Sequence, residues 1–365
     1  MFKKFVLILL VLTLGIIRSD AQMAESPVKS GDQSKETKTI DPRLTEKGDR
    51  LLNTQAEIVF GLVNETLAKV PPKYPPSLER RLAFSLLDCV LHDVYAPARP
   101  PVHRFIQERM LKLAKEVEHA KIEAGARIWK LYNQGFIVRT QTVTLGFDII
   151  RYSSRFQDFT LDVDDVLARI AHQCDVLFIS HSHPDHADEW VVQRFLDKGK
   201  PVVAPPDFWQ DKEIYSQLTH LARKADTWHS ILIKNGSTKL KVLAYPGHQV
   251  QRAINNELLN NVYLVVTPEE LTFSHAGDQN KKEDYQGTKQ VGMQHHIDVH
   301  FHKTASSQLV KDFDPELVIS SHENELEHGI DHRIPYWRYN NWSESMPCPL
   351  IVMAWGEKYH YNSSK

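Results

Sequence analysis

The chain has 365 residues, of which 42% are hydrophobic and 25% charged, and a formal net charge of −2. That length suits one large or two ordinary domains with a real core, and the composition is that of a globular protein, not a fibrous or low-complexity one. So small a charge excess favours neither nucleic acid nor an anionic membrane as a partner.

The first stretch, residues 1–21, reads as a signal peptide. Lys3 and Lys4 precede an apolar segment from Phe5 to Ile17, and Ser19-Asp20-Ala21 is a small-residue cleavage site. The apolar segment is shorter than the roughly 20 residues a spanning helix needs, so no stable membrane span is expected after cleavage. An exported protein, periplasmic or secreted, follows. Residues 22–43 are polar and read as a disordered leader, with too little apolar surface to offset chain entropy.

Apolar residues then recur at helical spacing through residues 44–124. Three helices are expected, around "LLNTQAEIVFGLVNETLAKV", "SLERRLAFSLLDCVLHDVY" and "VHRFIQERMLKLAKEVEHAKI", separated by "PPKYPP" and "APARPP". Ser77 is placed to cap the second of them. From about residue 125 to 365 the texture changes. "RIWKLYNQGFIVRTQTVTLGFDII" is rich in β-branched and aromatic residues, with Gly135 and Gly146 as strand breaks. Helix-like and strand-like runs alternate afterwards, including "DVLFIS", "PVVAP", "KLKVLAYPGH", "NVYLVV", "LTFSHAG", "HIDVHF" and "ELVISSH". The pattern predicts an α/β fold in packed layers. Cys89, Cys174 and Cys348 have no spacing of a disulfide framework and read as free thiols.

Histidine is the outlier, with 19 in all. In "DVLFISHSHPDHADEW" a buried strand stops and His181, His183, Asp185 and His186 follow at once. His181 and His183 are two apart, so an extended loop points both rings to one side and lets them share an ion. Asp185 and His186 turn differently after Pro184 and suit a second ion. Imidazole and carboxylate are ligands that Zn²⁺ prefers. Two ions need more ligands, and strand ends supply candidates: His248 as third imidazole for the first ion, Asp278 as a bridging carboxylate, His322 for the second.

The unbroken H-x-H-x-D-H run, followed in order by His248, Asp278 and His322, resembles the signature of the metallo-β-lactamase-fold hydrolases. The resemblance covers about residue 127 to the C-terminus. Its spacing is most similar to the branch of ascorbate-phosphate lactonase-like and N-acylphosphatidylethanolamine phospholipase D-like proteins. It implies a four-layer αββα sandwich, with two mixed sheets face to face, helices outside and metals at one sheet edge.

The expected chemistry is that of two Zn²⁺ ions per chain sharing a hydroxide, since zinc lowers the pKa of its water to about 7. Asp185 is the catalytic residue, orienting that hydroxide. The substrate expected is a small ester, lactone or phosphoester. Two alternatives stand beside it: a phosphodiesterase or phospholipase for lipid-like substrates, and a non-catalytic metal-binding envelope protein. No G-x-S-x-G nucleophile elbow is present, and Leu326 stands where H-E-x-x-H needs its second histidine. Asp298, His328 and His332 are expected around the ligands, His328 and His332 four apart on one helix face.

Overall fold

The computed structural model describes residues 42–151, 163–251, 256–303 and 307–363, with side chains described from residue 46 onward. The residues expected to form the signal peptide, and nearly all of the expected leader, lie outside the described residues. From Gly48 onward the chain forms one compact unit.

Three helices come first: α1 (Pro42–Lys69), α2 (Leu78–Leu91) and α3 (Pro100–His119). Proline opens α1 and α3, where its missing N–H costs nothing. Ser77 caps α2, its side chain accepting the Arg80 N–H at 3.4 Å. Their apolar stripes, such as Phe60 and Val63, Phe84 and Leu87, Ile106 and Met110, are buried together. Each such side chain contributes roughly 1.5–3 kcal/mol by leaving water. The same cluster takes in Leu167 and Ile170 of α4 (Asp164–Gln173), and Val191 and Phe195 of α5 (Glu189–Leu196).

Two seven-stranded mixed sheets follow. The first runs β14-β1-β2-β3-β4-β5-β6, from β1 (Ala126–Lys130), β2 (Phe136–Arg139), β3 (Thr144–Phe147), β4 (Val176–Phe178), β5 (Val202–Ala204), β6 (Thr219–His220) and β14 (Lys358–Tyr361). The second runs β13-β12-β11-β10-β9-β8-β7. Its strands are β7 (Trp228–Ile233), β8 (Thr238–Gln251), β9 (Asn256–Val266), β10 (Thr272–His275), β11 (Ile297–His302), β12 (Pro315–Ser320) and β13 (Leu350–Ile351). Strands β3 to β6 are mutually parallel, as are β10 to β13.

The sheets pack face to face. Ile128, Phe136, Phe147 and Phe178 of the first meet Val265, Phe273, Val299 and Phe301 of the second in one buried cluster, with the Phe136 and Phe301 rings stacked at 4.2 Å. The outer face of the second sheet carries Leu243 and Leu264. It is covered by Val291 of α6 (Tyr285–Gln294) and by Phe313, which ends α7 (Ser307–Phe313). Helices therefore lie outside both sheets, giving the four-layer αββα order.

Gly146 departs from its expected place as a strand break, because it sits inside β3. A side chain there would meet Ile149 at 2.8 Å, so glycine answers close packing rather than a turn. No described helix is long and apolar enough to cross a membrane.

Candidate metal centre

The carboxyl ends of the parallel strands share one rim, the edge where open α/β sheets gather functional groups. After β3 comes Asp148, after β4 the His181–His186 turn, after β10 Asp278, after β11 Lys303 and after β12 His322. Two residues of this rim hold strained backbone. Asp148 and His322 are held at φ 42° and 72°, a left-handed region costing a non-glycine residue roughly 1–2 kcal/mol. Gly277 also has positive φ, and a Cβ there would lie 2.4 Å from the Ser180 Cβ, so only glycine lets Asp278 reach the turn.

The turn, Asp278 and His322 come together. His186 Nε2 lies 3.3 Å from Asp185 Oδ2 and 3.5 Å from Asp278 Oδ1. His322 Nε2 lies 3.8 Å from the same Asp185 oxygen and 3.7 Å from the same Asp278 oxygen. The His181 and His186 rings are 4.0 Å apart, and His181 Nε2 is 3.1 Å from His183 Nδ1. His181, Asp185, His186, Asp278 and His322 are buried, while His183 is half-buried at the rim.

Several residues beyond those expected hold this arrangement. Asp148 Oδ2 receives His186 Nδ1 at 2.7 Å and the Ser180 hydroxyl at 2.6 Å. Gln249 and Lys303 reach Asp278 Oδ2 at 2.6 and 2.5 Å, and Gln134 donates to its other oxygen at 2.5 Å. Asp148 ends a strand within the hydrophobic run "TLGFDII", the only signal in the sequence that could have marked it.

His248 does not join the cluster. Its Nδ1 pairs with Asp284 at 2.9 Å and its Nε2 faces Glu257 at 3.6 Å. Strand side chains alternate between faces, so in β8 it is Gln249 and Gln251 that turn to the site, Gln251 lying 3.1 Å from His183 Nε2. The expected third imidazole of the first ion is thus replaced by amide groups. Asp298 also lies elsewhere: it begins β11, at the opposite rim from Lys303, where Thr272 N–H and Tyr361 hydroxyl donate to it at 2.7 and 2.8 Å. His332 is exposed in a 3₁₀ turn, Ile330–His332, so the helix face expected to carry it with His328 does not form. His328 itself reaches the centre, its Nε2 3.9 Å from Asp185 Oδ2.

The electrostatics suit cation binding. Burial opposes the charge on Asp278, but the Lys303 ammonium and then the imidazoles of His186 and His322 outweigh it and hold the carboxyl below its usual range. Asp185 is likewise held well below, burial being outweighed by His186. Burial, then the neighbouring His186, keeps His181 well below its ordinary value, hence neutral. In His186 burial is outweighed by Asp185 and Asp278, which raise it well above. His186 Nε2 and His322 Nε2 are buried without a hydrogen bond, a state that costs roughly 1–3 kcal/mol for a polar atom and that a cation would relieve. An N/O donor set of this kind fits Zn²⁺ and several other divalent ions. At this rim two groups have donor atoms close enough to share an ion, His181, His186 and Asp278 on one side, with Asp185, His322, Glu325 and His328 on the other; a third, His296, Asp298 and Glu316, lies at the opposite rim.

The N-terminal helices position part of this site. Asp88 of α2 accepts the Tyr336 and Trp337 N–H groups, each at 2.8 Å, so it caps α8 (Tyr336–Trp342) from another element, and it takes the Asn324 amide at 2.6 Å. Lys130 of β1 donates to the Ser320 carbonyl at 2.9 Å and pairs with Glu323. Arg333 donates to the carbonyls of Leu91 and Asp93 at 3.0 and 2.7 Å. The segment that carries His322 is therefore fixed from both sides.

Two face-packed mixed sheets with an H-x-H-x-D-H turn at their common edge define the metallo-β-lactamase-like fold. No family model matches the chain, and no curated protein matches its sequence. Among solved structures the chain is similar to Igni18, a metallo hydrolase from the hyperthermophilic archaeon Ignicoccus hospitalis, at 13% identity and a TM-score of 0.48, covering 66% of this chain and 100% of that one. A structure from Veillonella parvula, titled a possible metal-dependent hydrolase, matches at 13% identity and 0.48, over 65% and 100%. An isothiocyanate hydrolase from Delia radicum gut bacteria matches at 14% and 0.46, over 65% and 100%.

Proposed function

We propose that the protein is an exported, metal-dependent hydrolase with a two-cation centre, acting on a small ester, lactone or phosphoester. One observation carries the reading: Asp185, His186, Asp278 and His322, drawn from three separate parts of the chain, turn ligand atoms toward one another at 3.3 to 3.8 Å. A purely structural zinc site would be closed by four ligands around one ion; here the donors fall into two neighbouring groups, each with ligand atoms close enough to share an ion.

His181, His183, His186 and Asp278 would hold one cation and Asp185 and His322 the other. When bound, the ions supply Lewis acidity and a water acidified toward neutral pH. Asp185 would accept a hydrogen bond from the attacking water and aim it. Lys303, half-buried at the rim, is placed to receive the oxygen on which negative charge develops. Export rests on the basic start and apolar segment of residues 1–21, and N-terminal sequencing of the mature protein tests it.

The activity is tested by screening the purified mature protein against esters, lactones, phosphodiesters and lactams with its metal content measured. Asp185→Asn, assayed at saturating metal because the variant also loses a ligand of the second cation, is expected to lose turnover by about 100-fold or more, the scale of a lost acid–base group. Bound metal with no turnover across the panel removes the enzyme reading and leaves a metal-binding envelope protein.

A further inference from the structure

The segment after the last expected ligand reads His322, Glu325, His328, three residues apart each time. In a helix that spacing would drift around the axis; here the segment is a loop, and it brings both rings side by side, 5.2 Å apart and within 22° of parallel. The two imidazoles share neighbours at both ends. Asp185 Oδ2 lies 3.8 Å from Nε2 of His322 and 3.9 Å from Nε2 of His328. On the other side, Glu325 Oε2 lies 3.0 Å from Nδ1 of each.

Glu325 is wholly buried, and among the described residues its ion-pair contacts are to the two imidazoles alone, the Arg333 guanidinium acting on it only from a longer range. The nearby cations are spent elsewhere: Lys130 pairs with Glu323, and Arg333 donates to the carbonyls of Leu91, Asp93, Leu326 and His328. Removing a lone carboxylate from water costs several kcal/mol, so two imidazoles around one carboxylate call for a positive charge beyond them. Bonds of about 2.0–2.2 Å to nitrogen and oxygen let two ligand atoms of one ion stand up to about 4 Å apart, which admits both separations to Asp185. A carboxylate behind the far nitrogen is also what ligating imidazoles ordinarily have.

We propose that His328 is a direct ligand of the second cation, presenting Nε2 beside that of His322, and that Glu325 is the positioning residue that aims both rings from behind. The proposal rests on the two-cation reading above. It makes the second seat richer than the H-x-H-x-D-H run and His322 alone provide, with Asp185, His322 and His328 facing one ion.

The test loads the metal-free chain with Co²⁺ and reads two quantities, bound cobalt per chain by elemental analysis and the paramagnetically shifted imidazole N–H resonances by proton NMR. In His328→Ala and His328→Gln, affinity for the second ion should fall by about 100-fold or more and one shifted N–H should vanish. Glu325→Gln should weaken it by about 10- to 100-fold, the usual cost of an altered outer partner, with the His328 resonance kept but displaced. Folded His328 variants that bind both ions with wild-type affinity and show every shifted resonance overturn the proposal. So does a wild type that binds one ion, lost in His181→Ala and untouched in His328→Ala. A wild type that takes up no cobalt overturns the metal reading itself.

Discussion

Asp148 Oδ2 lies 2.7 Å from Nδ1 of His186, with both side chains wholly buried. This contact commits one ring nitrogen and leaves the other facing Asp185 and Asp278. A carboxylate behind a ligating imidazole fixes its tautomer and its direction. Asp148→Asn should therefore weaken divalent-metal binding by about 10- to 100-fold while the fold persists, measured by competition against a chelator. Unchanged affinity would show that His186 does not depend on this partner.

His248→Ala should leave the metal content unaltered. Its ring is engaged by Asp284 and Glu257 on the far face of β8. Elemental analysis of the variant decides the point, and loss of one ion per chain would show that β8 presents His248 rather than Gln249 to the centre in solution.

Lys303 places an ammonium 2.5 Å from the Asp278 oxygen, where a cation and the lysine compete for one carboxylate. Like charges a few ångströms apart at a protein surface cost several kcal/mol. Lys303→Met should accordingly tighten divalent-metal binding by about tenfold or more while slowing turnover, because the rim loses its positive charge. Calorimetric titration and a rate assay separate the two effects, and weaker metal binding would contradict the argument.

Asp88 joins the helical start of the chain to the site. Burial pushes its carboxyl up to about 6, although the Trp337 and Tyr336 N–H groups and the Asn324 amide favour its charge. Unfolded, it titrates near 4. Between these values the folded chain holds a proton that the unfolded chain lacks, so this contribution to stability is full below about pH 4 and is lost as pH rises through 6. The gap between the folded and unfolded values limits the contribution to on the order of 3 kcal/mol. Urea midpoints of wild type and Asp88→Asn should diverge across pH 4 to 6, the wild type alone losing ground as pH rises. A constant difference would mean that the carboxyl titrates normally.

Much of the layered fold is legible in the sequence because its cause is local. Strands such as "DVLFIS" and "ELVISSH" are continuous apolar runs, which is what a strand buried on both faces requires. Helices α1 to α3 show the apolar spacing of a single buried stripe. Strands β7 and β14 leave little local trace, since β7 alternates weakly and β14 owes its place to β1, its partner from the far end of the chain. Gly146 misleads because a glycine that permits close packing and one that permits a turn look the same in one dimension.

The residue types and order by themselves determined that a turn carrying a ligand set for a cation follows a buried strand: imidazole and carboxylate at one- and two-residue spacing are a local property, carried by chemistry. Which strand face a distant ligand occupies depends on register, and a shift of one residue reverses every side chain. That is why β8 turns Gln249 inward and His248 out, and why Asp298 falls at the wrong end of β11. Asp148, Lys303, Glu325 and His328 acquire their places only when the two sheets and the helices from the start of the chain close around the same edge, a decision made by packing between residues that the linear order keeps far apart.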